Sequence, residues 1–205
     1  PDRFDPDNFK GQLEDALSGG DVACLQLRLK NVEDDAIREA THILMPVCHT
    51  HDVAFLINDR PDLAAELGAD GVHVGQQDAD QKSARKIVGD DRIVGVTCHD
   101  SRHLAMIASE QGASYVAFGA AFPTETKETQ FRASPELFQW WADLVEVPCV
   151  AIGGLTAENC GDVVAAGADF IAVCSGVWGH AQGPGAAVAL FNKSIQNAGK
   201  AGNRN

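Results

Sequence analysis

The sequence predicts one α/β domain with the fold of a (β/α)8 barrel. Three observations support this fold: short apolar segments alternate with amphipathic ones, one turn motif occurs three times, and polar residues follow nearly every apolar segment. The apolar segments are rich in β-branched residues and predict buried parallel strands at 22–29, 53–58, 71–75, 92–97, 115–119, 148–154 and 170–175. The amphipathic segments predict helices at 7–18, 34–47, 61–67, 80–88, 101–111, 135–145, 156–166 and 185–197.

The repeated turn motif favours a closed barrel over a doubly wound sheet. The segments GADGVHVG (68–75), GASYVAFG (112–119) and GADFIAVC (167–174) each follow a predicted helix and open a predicted strand. A repeated helix–strand unit without a reversal of strand order is typical of a barrel. Seven strands are predicted and the first helix has no strand before it, so we expect the first barrel strand to lie upstream of Pro1. We assign residues 1–198 to the barrel and 199–205 to a flexible tail.

The composition argues against several functional classes. A net charge of −13 disfavours a general nucleic-acid or anionic-membrane surface, although it permits a local cationic pocket. No apolar run is long enough to span a membrane. The six cysteines form no C-x-x-C pair, so we expect a reduced, cytoplasmic protein with neither disulfides nor structural zinc. The sequence leaves the oligomeric state open, a homo-oligomer included.

The segment QLRLK (26–30) raises the first question about function. Gln26, Arg28 and Lys30 alternate with leucines, a pattern that usually indicates a strand with one side facing water. In a barrel, however, the outer face of each strand lies under a helix, where an unpaired charge costs on the order of several kcal/mol. We therefore predict that the leucines face the helices, that Gln26 and Arg28 point to the mouth of the barrel, and that Lys30 reaches the same space.

Polar residues lie at the carboxyl ends of all seven predicted strands, which is the edge where barrels carry out chemistry. This rim contains cations, carboxylates, hydroxyls and glycine-containing turns: Arg28, Lys30 and Lys127; Asp59 and Asp78; Thr97, Thr124 and Thr126; Gly153-Gly154 and Ser175-Gly176. Cations and bare backbone N–H groups suit phosphate, and paired carboxylates suit Mg²⁺ that is shared with a phosphate. The rim therefore predicts a polyphosphate held by cations and a metal, with a second phosphate on the glycine turns. Two alternatives stay open: Asp59 could pair with Arg60 or Arg28, and the glycines could form an ordinary turn.

Other reactive side chains are assigned structural roles. His73 lies within a strand and is interpreted as a hydrogen-bonded residue of the barrel rather than a catalytic base. Cys98 has no obvious base partner, so we do not predict a nucleophile there. The polar segment 123–132 lacks helix or strand periodicity and is predicted to form a lid.

Seven segments spread along the chain form an ordered set: QLRLK, FLINDR, GADGVHVGQQD, GVTCH, FGAAFPTETK, VAIGGLT and VCSG. In their order and at about their spacing they resemble the thiamine phosphate synthase family, and the resemblance covers nearly the whole chain. The resemblance implies a transferase that joins 4-amino-5-hydroxymethyl-2-methylpyrimidine diphosphate to a thiazole phosphate and releases diphosphate. It also implies small phosphorylated substrates, Mg²⁺ as cofactor, and ionisation of the pyrimidine before capture by the thiazole nitrogen.

The resemblance also implies a role for each residue of the rim. Gln26 would contact the pyrimidine, Thr97 stands where the family usually has Ser, and Asp59 and Asp78 would bind Mg²⁺. The residues that would hold the diphosphate are Arg28, Lys30, Asn58 and Lys127. The residues that would bind the thiazole phosphate are Thr124, Thr126, Gly154, Cys174 and Ser175. Of all these, the candidate catalytic residues are Arg28, Lys30, Thr97 and Lys127. The chain departs from the family at Trp178, a larger residue than usual, which would narrow the pocket.

Two alternative functions stay open. A thiazole tautomerase-like isomerase shares the barrel but has no need for the diphosphate ligands, which this chain retains. A non-catalytic barrel that binds a phosphorylated ligand has no need for the carboxylate pair Asp59 and Asp78.

Overall fold

The computed structural model describes residues 4–76, 80–123 and 130–202, and it shows a curled parallel sheet with helices packed outside. Its strands are Cys24–Leu27 (β1), Ala54–Asn58 (β2), Gly71–Val74 (β3), Ile93–His99 (β4), Tyr115–Gly119 (β5), Cys149–Ile152 (β6) and Phe170–Ala172 (β7). Each strand is hydrogen-bonded in parallel to the next one along the chain. The predicted barrel-like fold is confirmed, and each predicted strand is present.

The helices are Pro6–Ser18 (α1), Asp34–Thr50 (α2), Pro61–Leu67 (α3), Gln81–Val88 (α4), Arg102–Glu110 (α5), Pro135–Leu144 (α6), Cys160–Ala165 (α7), Ser175–Trp178 (α8) and Pro184–Gly202 (α9). Side-chain caps explain several of the starts, since Asp5 accepts from two N–H groups of α1 and Ser101 accepts from one of α5. Helix α9 continues to Gly202, so residues 199–202 of the expected tail are helical, and 203–205 lie outside the described residues. None of the helices in the described part has the length and hydropathy that a membrane span requires.

The sheet is open between β1 and β7 in the described residues, but the helical layer continues across this gap. Helix α1 packs against both α2 and α9. The N–H of Gly185 in α9 donates to Oδ2 of Asp15 in α1 at 2.8 Å, and Asn192 accepts at 3.1 Å from the N–H of Asp21. The gap between β7 and β1 therefore lies beneath helices that contact one another.

The repeated Gly-Ala-Asp/Ser motif has a structural explanation. Asp70 accepts a hydrogen bond from the N–H of Phe55 at 2.7 Å, and Asp169 accepts one from the N–H of Cys149 at 2.8 Å. Ser114 does the same for a backbone N–H of β4. Each side chain satisfies a donor near the amino end of the preceding strand. The motif thus joins neighbouring strands at the end of the barrel opposite the mouth.

The two faces of the sheet carry different side chains. Apolar residues of the outer face form one core with the helices, and they include Leu27, Phe55, Ile57, Val72, Val94, Val116 and Phe118. Because side chains alternate along a strand, their neighbours Gly71, His73, Gly95, Thr97 and Tyr115 face the barrel interior.

Candidate active site at the carboxyl ends of the strands

The first strand presents its leucines and its polar side chains to opposite sides, as the QLRLK pattern predicted. Leu27 is buried in the outer core, and Leu29 of the segment and the preceding Leu25 pack against that core. On the opposite face, Nε2 of Gln26 donates to Oδ1 of Asn58 on β2 at 2.6 Å. The predicted direction of the leucines is confirmed. Arg28 follows the strand and is exposed, and its contact with a ligand at the mouth stays a prediction.

Asp59 and Lys30 form an ion pair just beyond the ends of β2 and β1, between Oδ2 and Nζ. Asp59 has a φ of 64°, a left-handed conformation that Asp adopts more readily than most residues. Its N–H donates to the carbonyl oxygen of His73 at 2.8 Å. The Lys30 side chain is 44% exposed, so solvent screens the attraction and the pair contributes about 1 kcal/mol or less. The pair can therefore separate at small cost.

Arg60 pairs with Asp34 and Asp62 rather than with Asp59, so the predicted pairing of Asp59 with Arg60 is wrong. Among the described residues, no salt bridge joins Asp59 to Arg28 either. Nη2 of Arg60 lies 2.8 Å from Oδ2 of Asp34 and 2.6 Å from Oδ2 of Asp62, which ties the start of α3 to the start of α2. These hydrogen bonds hold the pKa values of Asp34 and Asp62 below the usual range. Asp59 thus lies outside this surface network and is paired with Lys30 instead.

Three side chains form a hydrogen-bonded series inside the barrel. His73 Nδ1 lies 2.8 Å from the hydroxyl of Tyr115, and His73 Nε2 lies 2.7 Å from Oγ1 of Thr97. Burial lowers the pKa of His73 to about 4 despite the opposing effect of Asp59, so the ring is neutral near pH 7. His73 is confirmed as a hydrogen-bonded barrel residue. Thr97 is half-buried near the end of β4, and its contact with a ligand stays a prediction.

The backbone conformation of the turn after β6 requires glycine. Gly153 and Gly154 adopt φ angles of 85° and 68°. A Cβ on Gly154 would lie 2.4 Å from the carbonyl oxygen of Pro123, too close for any other residue. Asn159 holds the turn by donating from Nδ2 to the carbonyl oxygen of Gly154 at 3.0 Å. Among residues 4–76, 80–123 and 130–202, no backbone acceptor is bonded to the N–H of Gly154, and its binding of a phosphate stays a prediction.

The last predicted site residues lie at the end of β7. Cys174 and Ser175 are exposed there, and Ser175 begins α8. Trp178 packs on Phe9 of α1, with ring centroids 4.6 Å apart, so its ring contacts α1. The narrowing of the pocket by Trp178 stays a prediction.

Several predictions fall outside the described residues. These are the site residues Asp78, Thr124, Thr126 and Lys127, together with most of the segment 123–132 that was expected to form a lid. In the part of the chain that is described, no three His, Cys, Asp or Glu side chains are grouped to hold a metal. Cys98 is buried, and burial raises the pKa of its thiol to about 12, which agrees with its assignment as a structural residue.

Sequence analysis did not identify Tyr115 as a site residue. The signal that could have found it is the repeat, because aligning the three copies places Gly71, Tyr115 and Phe170 at one equivalent inward position. Gly95 is the register partner of Tyr115 on β4. A tyrosine beside an inward glycine has room to lie across the neighbouring strand, and a repeat alignment would have shown this pair.

Comparison with known proteins gives consistent results. A family model described as thiamine monophosphate synthase matches residues 1–177. The thiamine-phosphate synthase of Rhodospirillum centenum is 61% identical over 196 residues, which cover 96% of this chain and 95% of that relative. The thiamine-phosphate synthase of Hyphomonas neptunium is 48% identical over 96% of this chain and 91% of its own. The solved structure of a thiamine phosphate pyrophosphorylase from Pyrococcus furiosus has a TM-score of 0.82 and 31% identity, covering 92% of this chain and 89% of that one.

Proposed function

We propose a mechanism for this chain, which belongs to the thiamine monophosphate synthase family and is a transferase that makes thiamine phosphate. In this mechanism, 4-amino-5-hydroxymethyl-2-methylpyrimidine diphosphate is ionised at the barrel mouth. The observation that carries this mechanism is the pairing of the ends of β1 and β2. Gln26 contacts Asn58, and Lys30 contacts Asp59. An amide pair thus lies beside a cation and a carboxylate at the edge of the sheet where barrels carry out chemistry.

In the proposed reaction, the bond between the pyrimidine methylene carbon and the diphosphate oxygen breaks, and its electron pair leaves with the diphosphate. The pyrimidine ring stabilises the resulting cation, and the lone pair of the thiazole nitrogen then forms the new C–N bond. This sequence needs no protein nucleophile. It needs stabilisation of negative charge on the leaving diphosphate and exclusion of water from the cation.

We assign the diphosphate to Arg28, Lys30, Asn58 and Lys127. Lys30 is held beside Asp59 by a weak, exposed ion pair, so it can turn to an arriving anion at small cost. As charge develops on the leaving group, these donors stabilise the transition state more than the ground state. Gln26, whose amide is fixed by Asn58, is assigned to the pyrimidine.

We propose that Asp59 and Asp78 bind Mg²⁺. Asp59 fits this role. Its Oδ2 is paired with the exposed Lys30, and no hydrogen bond within the described residues involves its Oδ1. Carboxylate oxygens combined with substrate phosphate are the ligands that Mg²⁺ prefers in proteins. When bound, the ion would neutralise charge on the departing diphosphate.

We assign the thiazole phosphate to Thr124, Thr126, Gly154, Cys174 and Ser175. The turn at Gly154 and the exposed positions of Cys174 and Ser175 support this assignment. We also propose a cytoplasmic location, in keeping with six unpaired cysteines.

Product analysis tests the proposed function against its alternatives. Purified protein is incubated with Mg²⁺ and both substrates, and the products are identified by mass spectrometry. We expect thiamine phosphate. Conversion of the thiazole phosphate to an isomer without the pyrimidine would instead support a thiazole tautomerase-like isomerase, and ligand binding without any conversion would support a non-catalytic barrel.

A further inference from the structure

We propose that Tyr115 is a positioning residue which, through His73, fixes the Thr97 hydroxyl as a hydrogen-bond donor toward the barrel mouth. This inference rests on the proposed function, because Thr97 acts on the reaction only if the substrates bind there. The three side chains come from three neighbouring strands, β5, β3 and β4. They are joined by contacts of 2.8 Å and 2.7 Å.

Gly95 makes the link between β5 and β3 possible. Gly95 and Tyr115 are register partners on β4 and β5. A Cβ on Gly95 would lie 2.0 Å from Cζ of Tyr115, so the phenol ring occupies the space that a side chain would fill. The ring extends across β4 and stacks on the imidazole of His73, with centroids 5.6 Å apart. This route makes Tyr115 a direct neighbour of a residue two strands away.

The direction of the hydrogen bonds follows from counting protons. A phenol has one proton to donate, and a neutral imidazole has one N–H and one lone pair. Burial raises the pKa of Tyr115 above its ordinary value, so the phenol keeps its proton. Among the described residues, His73 Nδ1 is the group within hydrogen-bond distance of that hydroxyl. Tyr115 therefore donates to Nδ1, the ring proton lies on Nε2, and Nε2–H donates to Oγ1 of Thr97.

The consequence is a defined polarity at Thr97. Its oxygen accepts from His73, so its own proton is available to a group at the mouth. Gln76 fixes the backbone at the same point by donating from Nε2 to the carbonyl oxygen of Thr97 at 2.7 Å. In the opposite arrangement, Thr97 would donate to His73, and the proton of Tyr115 would lack this acceptor. A departing diphosphate is stabilised by a donor and not by a lone pair, so the first arrangement suits the reaction.

Nitrogen-15 NMR of the imidazole in the ligand-free protein tests the hydrogen-bond direction without any activity measurement. The His73 signals are assigned by their loss in His73→Gln. We expect the Nε2–H tautomer in the wild type, and a mixture of tautomers in Tyr115→Phe, which removes the donor and keeps the ring. An Nδ1–H tautomer in the wild type, or a tautomer unchanged by Tyr115→Phe, would overturn the proposal.

A kinetic cycle tests whether Tyr115 acts through Thr97. Tyr115→Phe is expected to lower kcat about tenfold, the effect of one misdirected hydrogen bond to a charged group, while KM for the pyrimidine diphosphate stays within about twofold. The same substitution should have no further effect in a Thr97→Val background, whereas Thr97→Ser should preserve the sensitivity. Multiplicative losses in the double variant would contradict the proposal. Absence of thiamine phosphate synthesis in the wild type would refute the proposed function instead, and the NMR result would still stand.

Discussion

Replacing Asp59 with Asn separates a catalytic role from a structural one. Asn has nearly the shape of Asp and tolerates a left-handed backbone, so the φ of 64° at this position should persist. The substitution removes one ion pair to a lysine that is 44% exposed. We therefore expect the free energy of unfolding to fall by about 1 kcal/mol or less, and Tm to fall by about 2–4 °C.

The effect on turnover should be much larger than the effect on stability. In the proposed mechanism Asp59 holds Mg²⁺ against the leaving diphosphate. Its loss would remove several kcal/mol of transition-state stabilisation, so kcat should fall at least about 100-fold. Diphosphate release is followed at saturating substrates over a series of Mg²⁺ concentrations, and Tm is measured on the same samples.

Asp62→Asn is the matched control for this experiment. Asp62 is a nearby carboxylate whose hydrogen bonds go to Arg60 in the surface network, so its loss should change Tm slightly and leave kcat unchanged. The reasoning is refuted if Asp59→Asn keeps kcat within about twofold of the wild type at saturating Mg²⁺. It is also refuted if the two variants lose activity equally.

Three further predictions concern other parts of the molecule. Arg28→Ala should raise KM for the pyrimidine diphosphate or lower kcat by about tenfold or more, while the free energy of unfolding stays within about 1 kcal/mol of the wild type. Unchanged kinetics would show that Arg28 does not bind the diphosphate. His73 has a folded pKa of about 4 against an ordinary value of 6.5, so the unfolded state binds its proton more readily. The stability that the neutral, buried His73 contributes is complete above pH 6.5 and declines by up to about 3 kcal/mol as pH falls toward 4. Urea unfolding at pH 7 and pH 4.5 should therefore show a smaller fall in the free energy of unfolding for His73→Gln than for the wild type. Gly154→Ala should destabilise the fold by about 2 kcal/mol or more because of the positive φ and the close carbonyl oxygen. Gly161→Ala is the control, since it lies in α7 with room for a Cβ, and it should leave Tm unchanged or raise it slightly in thermal unfolding.

Periodicity was sufficient to predict the strands and most of the helices. The alternation in QLRLK and the apolar runs of β2 to β6 predict strands because one face must be buried. Helix α8 was not predicted, since four residues are too few to show a 3.6-residue period. Helix α2 runs three residues beyond its predicted end at 47, through Pro46 to Thr50, whose hydroxyl donates to the carbonyl oxygen of Pro46 at 2.8 Å. A proline signals a helix end in sequence but does not force one.

The polar rim was predicted more completely than the contacts within it. That Asp59 would lie near Lys30 follows from adjacent parallel strands, but the choice of Lys30 over Arg60 depends on Arg60 being engaged by α2 and α3. The series from Tyr115 through His73 to Thr97 joins residues 42 and 24 positions apart in sequence. Such contacts depend on the registers of three strands and on the space above one glycine, which periodicity alone does not specify.

Diphosphate release with each component omitted in turn tests the central claim most directly, namely that the rim ionises a pyrimidine diphosphate for capture by a thiazole phosphate. We predict one diphosphate released for each thiamine phosphate formed, with release dependent on both substrates and on Mg²⁺, and lost on exhaustive chelation. Full release in the presence of a chelator would contradict the role of the Asp59 carboxylate and its metal, and synthesis of thiamine phosphate without an equal release of diphosphate would contradict the mechanism itself.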